Sequence, residues 1–384
     1  MIFQKRVDFL SKINFNFTVN SVVALLGPRQ CGKTTLARQY VKEQAEKVHY
    51  FDLEDPEDLA ILQAPKLALS GLKGLIVMDE VQKLPEIFPL IRVLVDADSE
   101  KRFLILGSAS KELIHQSSET LAGRISYIEI TPFSYSEVED LQRLWLRGGF
   151  PKAYLPPTLD QSVAWRKEYI SAFLERDIPN LGINIPPLAL RKFWMMLTAY
   201  HGNLFNASEL GRSLGFSGPT IKRYLDILTG TFMIRQLQPW FENITKRQVK
   251  SPKIYFRDTG ILHTLLSIGK QEELLKNPKL GASWEGFALE SIIRVHQLTH
   301  EECFFWAIHE QAELDLICKI HGNSIGFEFK WADAPKLTKS VLTACSILNL
   351  HHCFIIYPGA KSFSLHEKVS VIGLQEYLDK QHLG

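Results

Sequence analysis

Over its first third the chain alternates between short apolar runs and stretches with helical spacing. Residues 21–26, 48–52, 74–78, 103–106 and 125–130 read as strands. The first, third and fourth are nearly unbroken apolar runs, as expected of strands buried on both faces. Between them, Leu36 and Tyr40, and later Ile87, Leu90, Ile91 and Leu94, recur at the spacing of one helix face. Residues 1–20 form an amphipathic lead-in, and residues 54–58 an acidic turn. Strands alternating with helices predict an α/β fold with a parallel sheet covered on both faces.

The pattern changes after residue 135. Gly148-Gly149 and Pro156-Pro157 punctuate the chain, and residues 160–200 read as helical with breaks at Pro179 and Pro186-Pro187. Residues 206–238 have the layout of a winged helix-turn-helix. Asn206 caps a helix carrying Leu210 and Leu214. Residues 215–218 make a tight turn, and Pro219 suits the first position of a second helix. Ile221, Leu225 and Leu228 then face inward, with Thr220, Lys222, Arg223 and Asp226 outward, before a strand over 231–237. A basic stretch of Lys246, Arg247, Lys250, Lys253 and Arg257 follows, read either as a phosphate track or as a solvated loop. Further on, residues 281–296 read as a helix, and 313–320 and 324–331 alternate as two strands joined through His321-Gly322-Asn323. A helix over 341–350, a strand over 353–357 and a short helix over 374–378 close the pattern. The expected division is 1–145, 146–252 and 253–384.

Two segments carry recognisable chemistry. Gly27-Pro28-Arg29-Gln30-Cys31-Gly32-Lys33-Thr34 fits the phosphate-loop pattern, between a buried strand and a helix continuing through Thr35. Converging backbone N–H groups and the helix dipole make such a turn an anion site. Lys33 is placed to reach β/γ-phosphates, and the Thr34 hydroxyl to hold Mg²⁺. The apolar run 74–78 then ends in Asp79-Glu80, the form of a Walker B segment. Asp79 is assigned to Mg²⁺ and Glu80 to the attacking water. Ser108, at the end of the fourth strand, is a candidate γ-phosphate sensor or an ordinary turn serine. Arg124, at the start of the fifth, is a candidate arginine finger toward a nucleotide in a neighbouring subunit, or a surface salt bridge.

Composition narrows the setting. With 384 residues, 46% hydrophobic and 22% charged, the chain can bury more than one core. A net charge of +2 does not by itself argue for nucleic acid, so any such contact must come from local patches. Five cysteines without a Cys-x-x-Cys pair argue against a disulfide framework or structural zinc. No run is long enough to span a bilayer, and no signal peptide is apparent, so a cytoplasmic protein without a membrane partner is expected.

The segments 27–34, 76–80, 107–110, 121–124 and Thr131-Pro132-Phe133 resemble those of an AAA-type ATPase family of bacteria and archaea. Its members carry a C-terminal domain of unknown function similar to restriction endonucleases. The resemblance continues at Gly148-Gly149-Phe150-Pro151, Glu175-Arg176-Asp177-Ile178 and residues 253–260. It ends with Trp284-Glu285-Gly286-Phe287, Ala312-Glu313-Leu314-Asp315 and Phe327-Glu328-Phe329-Lys330, and so covers nearly the whole chain. It implies ATP and Mg²⁺ as cofactors, although the motifs do not separate ATP from GTP.

At the C-terminal end, a two- or four-residue hairpin loop after Ile320 is expected to place Asp315 opposite Lys330 and Ile317 opposite Glu328. Asp315 and Glu328 then become diagonal neighbours. With Glu285 they form a candidate Mg²⁺ or Mn²⁺ site, Lys330 stabilising developing charge. This Asp…Glu-x-Lys arrangement resembles the restriction-endonuclease core and makes the domain a candidate nuclease. The expected function is ATP hydrolysis driving conformational change on DNA or RNA, with a homo-oligomer implied if Arg124 acts between subunits. The competing expectation is a signalling or scaffold ATPase whose C-terminal domain binds protein partners and cleaves nothing. A small-molecule kinase is disfavoured, because no acceptor-site signature appears.

Overall fold

A computed structural model describes residues 4–45, 47–108, 117–240, 250–308 and 312–382. The chain divides into two compact units, Met1–Phe133 with Gly230–Phe232, and Ser134–Thr229 with Met233–Gly384.

The first unit is built on five strands: β1 (Val22–Gly27), β2 (Val48–Asp52), β3 (Leu75–Asp79), β4 (Arg102–Ser108) and β5 (Ile125–Glu129). They lie in the order β2-β3-β4-β1-β5, and every pair is parallel. Every residue of β1 and β3 is buried, as their unbroken apolar runs require. The helix Phe88–Ala97 packs Phe88, Ile91 and Leu94 into the core formed with Ile76, Met78, Phe103 and Ile105. Two 3₁₀ turns, Val81–Lys83 and Pro85–Ile87, precede it. The helix expected from residue 85 therefore starts at Phe88.

The second unit carries a nine-stranded mixed sheet. Its strands are β6 (Asn203–Leu204), β7 (Ile234–Pro239), β8 (Lys253–Phe256), β9 (Cys303–Ile308), β10 (Ala312–Ile320), β11 (Asn323–Phe329), β12 (His352–Tyr357), β13 (Phe363–His366) and β14 (Val369–Gly373). The order is β13-β14-β12-β11-β10-β9-β7-β8-β6. The helices Ala207–Leu214 and Gly218–Gly230 intervene between β6 and β7. The Asn206 side chain caps the first, accepting from the Glu209 N–H at 3.1 Å.

The expected boundary at 252/253 falls between β7 and β8, which pair antiparallel in this one sheet. The first unit also ends at Phe133 rather than 145. The hairpin register differs as well. His321 and Gly322 both have positive φ (48° and 80°), forming a two-residue turn that pairs Ile320 with Asn323 and Ile317 with Gly326. Ile317 therefore does not lie opposite Glu328. The ladder stops at Leu316–Phe327, and the Phe329 N–H donates to the Asp315 carboxylate at 3.1 Å.

The interior of this unit also holds a charge cluster. Glu290, on the helix Leu280–Val295, is 3% exposed and accepts two hydrogen bonds from Arg235, with Arg257 and Arg294 beside it at 3.6 and 3.7 Å. Burial would push this carboxyl up, but the three guanidinium groups outweigh it and hold it down at about 2. We expect Glu290→Gln to cost about 3–5 kcal/mol, because it strands three arginines in a low-dielectric interior. A urea-midpoint shift of the full chain measures this. The wild-type contribution is present above the ordinary carboxylate range and is lost as pH falls toward about 2. A cost below about 1 kcal/mol would mean the arginines remain well solvated.

Candidate functional site: a phosphate loop and a buried carboxylate cluster

The parallel register brings the first site together. Gly27 pairs with Ser108, and Asp79 ends the adjacent β3, so β1, β4 and β3 release their chains at one edge of the sheet. Ligands of open parallel sheets sit at that edge. Gly27 is required there, since a Cβ would collide with the Ile130 carbonyl oxygen. Gly32 has φ +102° and forms the N-cap of the helix Lys33–Lys42. The Leu36 N–H donates to the Gly32 carbonyl at 2.9 Å. The N–H groups of Lys33, Thr34 and Thr35 precede it, in the position a helix N-terminus offers to anions. Thr34 is half-buried and Thr35 exposed. The buried Lys33 ammonium donates to the carbonyls of Gly27 and Pro28, each at 3.0 Å. Gln30 (φ 61°) and the buried Cys31 complete the turn, with Arg29 close enough to act on the charge of Glu80.

Asp79 is 2% exposed. One carboxylate oxygen accepts from the Tyr50 hydroxyl at 2.8 Å, the other from the Glu80 N–H at 3.0 Å. Glu80 sits in the left-handed region (φ 56°, ψ 43°), and its side chain accepts from the Gln82 amide. Burial pushes the Glu80 carboxyl above its ordinary value, against the pull of Lys33, Gln82 and Arg29. A raised carboxyl beside a phosphate loop suits a general base. Two supports escaped the sequence reading. Arg6 is 4% exposed and donates to the carbonyls of Cys31 (3.4 Å) and Thr131 (2.9 Å), bracing the loop from outside it. No local motif marks an arginine 25 residues upstream of the residue it braces. Tyr50 holds Asp79 and shows only as an ordinary strand residue; burial and Asp79 raise its phenol, so it remains a donor. For Ser108 the backbone position at the end of β4 is fixed, while its side chain lies outside the described set.

Arg124 lies at the other end of the sheet. Its carbonyl accepts from the Val22 N–H, at the start of β1, at 3.0 Å. The six residues of β1 separate that point from the phosphate loop by about 17 Å. Its guanidinium forms a two-pronged, exposed pair with Asp96 (2.6 and 3.0 Å). Arg124 therefore does not reach the nucleotide site of its own chain.

The second cluster, in the other unit, differs from its expected form. Glu285, Asp315 and Glu328 do converge, but two lysines hold them. The Lys253 ammonium, 6% exposed, lies 3.2 Å from Asp315 and 3.9 Å from both Glu285 and Glu313. Lys330 pairs with Glu328 at 2.6 Å. Tyr255 donates to Glu285 at 2.6 Å. Burial alone would lower the Lys253 ammonium, and the surrounding carboxylates outweigh it and raise it. Burial and then the Asp315 charge push both Glu285 and Glu328 upward. Among the described residues, no three His, Cys, Asp or Glu side chains are arranged to hold a metal ion.

The basic stretch is likewise redistributed. Lys253 is buried and Arg257 half-buried, each drawn into a carboxylate cluster; Lys250 is exposed; Lys246 and Arg247 lie outside the described residues. Lys222, Arg223 and Asp226 are exposed on the helix Gly218–Gly230, as the periodicity predicts. No helix among the described residues is long and apolar enough to cross a membrane.

Comparison with known proteins follows these segments. A family model described as AAA domain matches residues 19–139. Two described as Domain of unknown function (DUF8612) and Domain of unknown function (DUF4143) match residues 138–272 and 280–377. Among solved structures, the chain is similar to the Walker-type ATPase PABY2304 of Pyrococcus abyssi at 15% identity and a TM-score of 0.45, over 69% of this chain and 96% of that one. It is also similar to a variant of RuvB of Thermotoga maritima at 17% identity and a TM-score of 0.30, over 61% and 88%. Two curated proteins, Uncharacterized protein Rv2008c of Mycobacterium tuberculosis and Uncharacterized protein Mb2031c of Mycobacterium bovis, are each 47% identical over 360 residues, 93% of this chain and 81% of theirs. The chain belongs to the family of these mycobacterial proteins, and its residues 19–139 are an AAA domain of the phosphate-loop ATPase type.

Proposed function

We propose that the protein hydrolyses ATP with Mg²⁺ at the phosphate loop and couples turnover to a conformational change on nucleic acid. The observation that carries the hydrolytic part is the shared sheet edge. It sets the Gly32–Lys33 helix start, the buried Asp79 carboxylate and the raised Glu80 carboxyl beside one another. Lys33 has only backbone carbonyls to leave before it contacts β/γ-phosphates. Thr34 and Asp79 are the residues that would hold Mg²⁺, which supplies charge neutralisation for the transferred phosphoryl group. Tyr50 orients Asp79 for that task, and Glu80 takes the proton of the attacking water. Ser108, whose backbone ends the strand between β1 and β3, is assigned to sensing the γ-phosphate.

The nucleic-acid part rests on the helix-turn-helix followed by the antiparallel β7–β8 pair, a winged-helix layout with Lys222 and Arg223 exposed on its second helix. A nuclease activity is not included in this reading; in the carboxylate cluster Asp315 is paired with Lys253 at 3.2 Å. Arg124 is assigned to a nucleotide in a second copy of the chain, since its own site lies at the far end of the sheet.

Lys33→Ala should abolish tight nucleotide binding, measured by equilibrium titration. Glu80→Gln should retain binding and lose about a hundredfold or more in turnover; undiminished turnover would place the base elsewhere. Arg124→Ala should lower turnover by about a thousandfold while affinity stays near wild type. A fully active protein that is monomeric by sedimentation would remove the role between subunits. Added DNA or RNA should stimulate turnover with a steep salt dependence. Turnover indifferent to both would favour the scaffold reading with a protein partner.

A further inference from the structure

The turn after β3 brings a side chain back onto Glu80. The strand ends at Asp79, and Glu80 takes φ 56° and ψ 43°, a left-handed conformation that a non-glycine residue adopts only at a cost. The chain reverses there into the 3₁₀ turn Val81–Lys83. The Lys83 N–H donates to the Glu80 carbonyl and the Leu84 N–H to the Val81 carbonyl, each at 3.0 Å. Val81 is 2% exposed in the core of the first unit, and Leu84 packs against that core. The turn is therefore anchored on both sides of Gln82. The Gln82 side chain is half-buried, and its amide N–H donates to Glu80 Oε2. Its own Oε1 is buried with no hydrogen-bond partner among the described residues. Turning the amide over would set two acceptor oxygens against each other, so the bond to Glu80 fixes which way the amide lies. The amide keeps that bond while its carbonyl oxygen goes unpaired.

We propose that Gln82 is a positioning residue for hydrolysis: its amide holds the Glu80 carboxylate by Oε2 and leaves Oε1 for the proton of the attacking water. The inference rests on the reading of Glu80 as the base. A free glutamate side chain turns about several bonds, whereas a general base must stand within hydrogen-bond reach of one water. Fixing one carboxylate oxygen removes much of that freedom before the nucleotide arrives. An amide suits this task better than an ammonium. Both donate, but a lysine at this place would pair with the carboxylate and weaken it as a proton acceptor. The amide orients the carboxylate without adding net charge. The left-handed backbone at Glu80 starts the turn that sets residue 82 within reach, so the strain and the contact belong to one device.

The test follows phosphate release from ATP and Mg²⁺ by the full chain. Gln82→Ala should lower kcat by about tenfold to a hundredfold, the worth of one hydrogen bond to a charged group, with KM for ATP within about twofold of wild type. Gln82→Met, which keeps the length of the side chain without the donor, should show the same split and replaces the alanine variant if that one does not fold. Glu80→Gln alone and Glu80→Gln combined with Gln82→Ala should turn over at the same rate, because a residue that acts through Glu80 then has nothing left to position. A residue that only supports the turn would slow the double variant further. Unchanged or faster turnover in the Gln82 variants would overturn the proposal, faster turnover marking the amide as a restraint on the base. Losses that multiply in the double variant would overturn it too. Wild-type protein without turnover, or undiminished turnover in Glu80→Gln, removes the ATPase reading and this inference with it. A slow Glu80→Gln protein beside a fully active Gln82→Ala protein removes this inference alone.

Discussion

The parallel hydrogen-bond ladder of the first unit is the constraint on which its chemistry depends. Once β1, β3 and β4 run in the same direction and are buried on both faces, polar side chains have few places to stand except the strand ends. Gly27, Ser108 and Asp79 therefore arrive at one edge, and Arg124 and Val22 at the other. Close packing sharpens the result. The approach of the Ile130 carbonyl to Gly27 leaves no room for a side chain, and the αL conformation at Gly32 turns the chain into the helix whose N–H groups face the loop. Arg6 and Tyr50 then fix the loop and the Asp79 carboxylate from behind.

In the second unit the governing problem is buried charge. Glu290 is matched by three arginines, and Asp315, Glu285 and Glu328 by two lysines. Each carboxylate would be costly alone, and each cation loses hydration to reach it, so neither side can be removed singly without leaving an uncompensated charge. The Gly148-Gly149 and Asp258-Thr259-Gly260 segments answer to tight packing instead. The Gly149 N–H donates to Asp258 at 2.8 Å, Asp258 also caps the helix Thr259–Leu265, and a Cβ on Gly260 would collide with the Arg147 carbonyl.

Periodicity and punctuation determined much of the architecture unaided. The span of β2, the helix following the phosphate loop, the Asn206-capped helix and the β10–β11 hairpin are legible because their signals are local: apolar runs, capping residues and turn residues. The phosphate loop and Asp79-Glu80 are legible for the same reason, since their chemistry requires contiguous residues at fixed spacing. Tertiary structure alone decided the rest. Of the two loop lengths expected, two or four residues, the structure has the two-residue one, which pairs Ile317 with Gly326 and not with Glu328; alternation alone does not separate the two lengths. Lys253 reads as one member of a basic stretch, and only the pairing of β8 beside β7 carries it into a carboxylate cluster 62 residues away in sequence. Arg124 looks like a finger in a linear motif, and only the strand direction shows which end of the sheet it occupies. The order of residues decides which groups exist and their local conformation. The partners of a buried charge are set by contacts between distant segments, and no local pattern encodes them.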